Sequence, residues 1–316
     1  MITNSIQNHN NFKMYLDYFQ LNQEPFNIAP NPNMLYPSAR HKEAIAYLQY
    51  GLRGAGGFVM LTGEVGTGKT MVSRAVLGDL PEHFNVAYIL NPTLNNIQLL
   101  QTVCEAFEIQ VSENADLKQL SDGLQSYLIE QNQLDKSCLL VIDEAQHLSA
   151  EALEQLRLFT NLETNEKKLL QIILIGQPEL QEKLNTRELR QLAQRITARY
   201  HLLPLTKSET YSYINHRLQF AGALRPLFDK KAMNWVFKLS KGTPRLINLL
   251  ADRCLMGAFA SSASYVDQSI VIKAAQEVLL MSEPGMAMSW WQNKLSITLS
   301  ALTVIAVCGV SFWLLK

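Results

Sequence analysis

The run Gly63-Glu64-Val65-Gly66-Thr67-Gly68-Lys69-Thr70 fits the pattern G-x-x-x-x-G-K-[ST]. That spacing lets successive backbone N–H groups wrap phosphate oxygens. Its glycines remove Cβ atoms that would clash with a closely held ligand. Lys69 sets a compact positive charge between β- and γ-phosphates, Thr70 offers a hydroxyl to Mg²⁺, and Met71 is the last of the expected nucleotide-binding residues, Gly63 to Met71, as the segment enters a helix. A second run, Leu139-Leu140-Val141-Ile142-Asp143-Glu144, is apolar and ends in two carboxylates. As a buried strand it delivers Asp143 to the sheet edge as a ligand of the same ion. Glu144 is then the candidate that polarises an attacking water; a solvated residue opening a helix is its plainer reading. In this order and at this distance, the two motifs imply a nucleoside triphosphatase that uses ATP with Mg²⁺.

Other residues carry weaker signals. Gln177, in Ile175-Gly176-Gln177-Pro178, follows a fourth strand. If that strand is inserted between the first and third, Gln177 lies between the two phosphate motifs, able to sense a γ-phosphate or orient water; turn capping explains it equally well. Arg190, Arg195 and Arg199 precede or open a fifth strand. An arginine there can point toward a neighbouring subunit's γ-phosphate, and Arg195 is the preferred candidate, although a solvated helix face accounts for any one of the three. Arg245 follows Pro244 at the start of a later helix, where proline is structurally favoured. From there it can couple nucleotide state to a second domain.

The elements that must position these groups alternate. Helix over Ser38–Gly51 is followed by strand over Phe58–Thr62, helix from Lys69, and strand over Asn85–Leu90. Helices over Ile97–Phe107 and Leu117–Gln131 precede a strand over Cys138–Asp143. Helix over Ala150–Leu162, strand over Leu169–Ile175 and a short strand over Arg199–Leu203 complete the pattern, which implies an α/β fold with a parallel sheet covered on both faces. After Pro204 only helical periodicity remains, over Ser208–Phe220, Lys230–Leu239, Pro244–Ala260 and Val266–Leu280. The expected domains are an N-terminal leader and extended segment (1–37), a nucleotide-binding α/β domain (38–205), a helical lid (206–280) and a linker (281–294).

The chain has 316 residues, 47% hydrophobic and 18% charged, with no net charge, so composition gives no general push toward nucleic acid or anionic lipid. Its four cysteines show no C-x-x-C pairing and read as reduced packing thiols. Residues 1–13 hold no apolar stretch of the signal-peptide kind. Residues 295–315 are uncharged and, as a helix, about 31 Å long, matching a bilayer's hydrocarbon thickness. Trp290, Trp291 and Lys294 precede them as interface anchors. A transmembrane helix is expected there, with a buried C-terminal helix as the alternative.

The fold signature resembles the P-loop AAA+ ATPases, with Gln177 matching sensor 1 and Arg245 sensor 2. More narrowly, Met14-Tyr15-Leu16-Asp17-Tyr18-Phe19, Pro25-Phe26, Leu153-Glu154-Gln155-Leu156-Arg157-Leu158, Leu162-Glu163-Thr164-Asn165 and Gly176-Gln177-Pro178-Glu179-Leu180 are similar to the ExeA/GspA type of type II secretion. The MshM branch, serving the MSHA type IV pilus, is the favoured match. The resemblance covers about residues 14–280 and starts at Met14, an alternative start to Met1. It implies an ATPase at the bacterial inner membrane, single-pass with its catalytic domains cytoplasmic. It further implies a ring, of six subunits, an arginine finger in trans, and a membrane partner protein. Secretion-type members continue into a peptidoglycan-binding domain, whereas this sequence stops at Lys316, which favours the pilus branch. No nucleic acid is expected. Two other readings stay open: a DNA-acting AAA+ protein, since residues 206–280 hold ten Lys/Arg against five Asp/Glu, and a nucleotide-binding scaffold without turnover.

Overall fold

The computed structural model describes residues 14–29, 34–53, 57–90, 95–112, 114–162 and 168–282. Apolar runs become central strands. Every position of β1 (Phe58–Gly63) is buried, as is nearly every position of β3 (Ser137–Ile142) and β4 (Leu170–Gly176), the mark of strands covered on both faces. With β2 (Phe84–Ile89) and β5 (Ile196–Leu202) they form a five-stranded parallel sheet in the order β2-β3-β4-β1-β5. The insertion of β4 between β1 and β3 agrees with the sequence reading. Strand β5 begins three residues earlier than expected. It is an edge strand, and exposed Thr197 and Arg199 alternate with buried Ile196 and Ala198, so no continuous apolar run announces it.

Helices cover both faces. On one, α4 (Asn96–Ala106), α5 (Leu117–Gln133) and α6 (Ala150–Phe159) bury leucines against Met60, Leu140 and Ile172. On the other, α2 (Ala39–Arg53) and α3 (Lys69–Gly78) pack on Val59, Leu61, Val141 and Ile173. Starts of α4 and α5 are fixed by reciprocal capping boxes, Asn95 with Gln98 and Asp116 with Gln119. Two short helices went unread in the sequence, α7 (Pro178–Leu184) and α8 (Arg190–Ala193).

The chain divides into two compact units. Residues 28–213 and 241–246 form the nucleotide-fold unit. Among the described residues, 14–27, 214–240 and 247–282 form a helical unit. Helices α9 (Lys207–Phe220) and α11 (Pro244–Ala260) each begin in the first unit and continue into the second, which also holds α10 (Lys230–Ser240) and α12 (Gln268–Ser282). Residues 14–19, which the sequence reading placed in the leader without a helix, form a helix, α1, and belong to the helical unit. Buried Tyr15 donates to Asp252 Oδ1 at 3.0 Å, and Arg217 donates to the carbonyls of Pro25 and Asn27. These partners lie far away in sequence, so no local pattern reveals them. No helix among the described residues is long and apolar enough to cross a membrane. The expected span, 295–315, lies outside them, as does most of the expected linker, 281–294.

Within the nucleotide-fold unit, Gly242 has φ +80°, and a Cβ there would stand 1.9 Å from the Leu205 carbonyl oxygen. The same pair is tied by a bond from Leu205 N–H to Gly242 O at 2.9 Å. Left-handed strain and a backbone clash therefore act together, and Gly242→Ala is expected to destabilise the fold by about 3 kcal/mol or more. A thermal-unfolding midpoint equal to that of the parent chain would refute this.

Candidate functional site

Three adjacent strands deliver the site. Parallel register sets Thr62 of β1 level with Gly176 of β4, and Ile142 of β3 level with Leu174 of β4. The segments that follow, starting at Gly63, Asp143 and Gln177, therefore emerge side by side on one sheet edge.

The loop after β1 is folded as a cradle. Gly66 and Gly68 take φ +79° and +102°, which L side chains rarely adopt. Thr67 closes the turn by donating its hydroxyl to Glu64 O at 2.8 Å. Gly68 is the N-cap of α3 and carries no side chain to cap it. Lys69 and Thr70, the first helical residues, thus present N–H groups with no carbonyl one turn earlier, at the positive end of the helix. Met71 is half-buried, and its N–H is already bonded to Gly68 O at 3.0 Å. Glu64 and Val65 are exposed on the outer side of the loop. Lys69 is only 7% exposed, and its Nζ donates to Gly63 O at 2.8 Å and Glu64 O at 3.1 Å. Burial pulls this ammonium below the ordinary lysine value, against the opposing pull of Glu144, Asp143, Glu64 and Glu179.

Behind the cradle sits a residue that the sequence analysis missed. His41 is buried, with Nδ1 2.7 Å from Ser38 Oγ, and its ring hydrogen bonds to the Thr67 backbone. Its Nε2 lies 3.0 Å from where a Cβ at Gly68 would stand, so Gly68 is required for clearance as well as for its φ. Burial holds the His41 pKa below the usual imidazole value.

Asp143 is buried at the tip of β3. Its Oδ2 accepts from Thr70 Oγ1 at 3.1 Å and from Tyr88 OH at 3.1 Å, while Oδ1 accepts from the Glu144 N–H at 2.9 Å. Tyr88, on β2, is a second residue that the sequence left unmarked; burial first, then the Asp143 charge, pushes its phenol up to about 12. A hydroxyl and a carboxylate held together beside a helix N-terminus make an all-oxygen donor set of the kind Mg²⁺ selects, so these residues fit that ion.

Glu144 adopts φ 55°, ψ 37°, an uncommon conformation for a residue with a side chain. Its Oε2 accepts from Gln146 Nε2 at 2.5 Å and from Gln177 Nε2 at 3.3 Å. Burial pushes this carboxyl up, yet the two amides, Lys69 and His147 outweigh it and leave the pKa below the ordinary glutamate value. Gln177 thus reaches the Glu144 carboxylate from the tip of β4, where the sequence reading put it.

The arginines separate. Ile196 is level with Phe58, the first residue of β1, so Arg195 stands at the opposite edge of the sheet. At about 3.3 Å per residue, β1 sets it roughly 17 Å from its own phosphate loop. It is half-buried, with Nη1 3.4 Å from Thr160 Oγ1. Arg190 is exposed in α8, and Arg199, expected to open β5, lies inside it, donating to the Ala193 carbonyl. Arg245 instead adjoins the cradle: its backbone N–H donates to Gly66 O at 3.2 Å, and its side chain is exposed.

A family model described as an AAA domain matches residues 52–184. Over 293 residues, 93% of this chain, the sequence is 49% identical to General secretion pathway protein A of Aeromonas hydrophila. The match takes in 53% of that relative, so the chain spans about half the length of the curated relative it matches. Among solved structures, Cdc6p from Pyrobaculum aerophilum superposes with a TM-score of 0.64 at 17% identity, covering 80% of this chain and 70% of that one. The ADPNP–ADP complexes of the Aeropyrum pernix ORC2 protein give 0.60 at 18%, covering 81% and 72%. Drosophila ORC bound to DNA gives 0.61 at 16%, covering 85% and 66%. At these identities the likeness is one of fold: a parallel five-stranded sheet flanked by helices, as in P-loop AAA proteins.

Proposed function

We propose that this chain, an AAA-domain relative of General secretion pathway protein A, hydrolyses ATP to assist assembly of an envelope-spanning machine of the type II secretion or MSHA-type pilus class. What supports turnover, beyond nucleotide binding, is the Glu144 carboxylate held by two amides beside the Lys69–Thr70–Asp143 cluster. A pocket that only bound nucleotide has no need of it.

In this reading the loop N–H groups and Lys69 seat the β- and γ-phosphates of ATP. Thr70 and Asp143 hold Mg²⁺, which neutralises phosphate charge when bound. Glu144 draws a proton from the attacking water, and Gln177 orients it. Arg195 stands too far from its own phosphate loop to serve it and completes the site of a neighbouring subunit, which makes the active form a ring, of six subunits. Arg245 passes the nucleotide state along α11, the helix that leaves the loop's own unit. Residues 295–315 span the inner membrane, with 1–294 cytoplasmic, and meet a membrane partner. The likeness to DNA-bound ORC is one of fold and assigns no nucleic acid to this chain.

The trans arrangement is testable by mixing. Arg195→Ala and Glu144→Gln chains are each expected to be nearly inactive alone. Combined in equal amounts, they should recover about a quarter of parental turnover, the fraction of adjacent pairs that join an intact Glu144 to an intact Arg195. Absence of recovery, or full activity of Arg195→Ala by itself, removes Arg195 from this role.

A further inference from the structure

Gln146 lies in a 3₁₀ turn, Ala145–His147, just past the acidic pair. Its amide makes two bonds of opposite sense. Oε1 accepts from the Gln177 N–H at 3.1 Å, and Nε2 donates to Glu144 Oε2 at 2.5 Å. Because a backbone N–H can only donate, the first bond fixes which end of the amide is oxygen, and the NH₂ must then face the carboxylate. The turn is itself fastened. Lys183 of α7 donates Nζ to the carbonyls of Gln146 and Leu148, each at 2.6 Å. Gly176 supplies the room: a Cβ there would approach Gln146 Oε1 to 2.8 Å. The amide is therefore held on its turn, by α7, and against the tip of β4.

We infer that Gln146 is a positioning residue that aims the Glu144 carboxylate and joins it to the tip of β4. Glu144 rests in a left-handed backbone conformation at the start of the turn that carries Gln146, and the bonds its carboxylate accepts decide the orientation of that group. The Gln146 bond, shorter than the 3.3 Å bond from Gln177, supplies that orientation. With both donors on Oε2, the role of receiving a proton from water falls to Oε1. The bond from Gln146 Oε1 to the Gln177 N–H also makes any shift of the β4 tip a shift of the carboxylate. This inference rests on the reading of Glu144 as the group that activates water.

The test uses the full chain and two substitutions. Gln146→Leu removes both bonds. Gln146→Glu keeps an acceptor for the Gln177 N–H but turns a second carboxylate toward Glu144. Losing a bond to a charged group is expected to lower kcat by about 10- to 100-fold in both variants, with affinity for a fluorescent ATP analogue changed by less than about threefold. In a Glu144→Gln background, neither substitution should lower the residual turnover further, because Gln146 acts through the carboxylate. Unchanged kcat in both variants overturns the role, and so does a parallel loss of ATP affinity or an additive loss in that background. Normal turnover of Glu144→Gln alone would overturn the underlying reading, and this role with it; a collapsed Glu144→Gln beside active Gln146 variants overturns only this role.

Discussion

Lys69→Ala is expected to abolish nucleotide binding at micromolar ATP. The ammonium is buried in the turn of the loop and already donates to the Gly63 and Glu64 carbonyls, so it is held where phosphate oxygens would arrive. Charge-assisted bonds to two phosphates contribute about 1.5–3 kcal/mol each, and their loss weakens binding by roughly 10²- to 10⁴-fold. The fold should survive, because the change deletes a buried charge and leaves only two carbonyls to find water. Calorimetry with Mg-ATP measures the affinity, and circular dichroism checks the fold. Binding within tenfold of the parent, by a folded variant, would contradict the account of the cradle.

Glu144→Gln is expected to separate binding from chemistry. The substitution preserves shape, and its amide can still meet Gln146 and Gln177, but it cannot take a proton. A positioned general base contributes about 10²- to 10⁴-fold, and turnover should fall by that amount while ATP affinity stays near that of the parent. A single-turnover assay beside an equilibrium titration reads the two quantities independently. Hydrolysis at the parental rate would show that the carboxylate is not the base. The low pKa of Glu144, set by two amide donors, Lys69 and His147 against burial, keeps the carboxylate ionised in neutral solution.

The phosphate loop and β3 were legible because both are local patterns. Gly63 to Thr70 needs its residues in sequence, and Leu139 to Ile142 is apolar because both faces of a central strand are covered. The place of β4, and so of Gln177, was legible only as a condition, because strand order depends on pairing between segments distant in sequence. The start of β5 was hidden by the alternation of an edge strand, and α7 and α8 are too short to show a period. Tyr88, His41 and Gln146 carry no mark of their own. Tyr88 is one aromatic on a strand until Asp143 is brought to its hydroxyl, and His41 is one imidazole until Thr67 folds over it. The union of residues 14–27 with the helical unit depends on contacts such as Tyr15 with Asp252, which periodicity cannot report.

The bond from the Arg245 N–H to Gly66 O has a consequence for descent. A glycine retained so that a loop can turn also sets the clearance of a helix encoded far downstream, since a Cβ at position 66 would come within 2.6 Å of the Arg245 Cβ. The constraint is one-sided: position 66 must stay bare both for its φ and for this clearance, while position 245 can change its side chain beyond Cβ without touching that space. A lineage that varies freely at 245 is therefore still expected to keep glycine at 66.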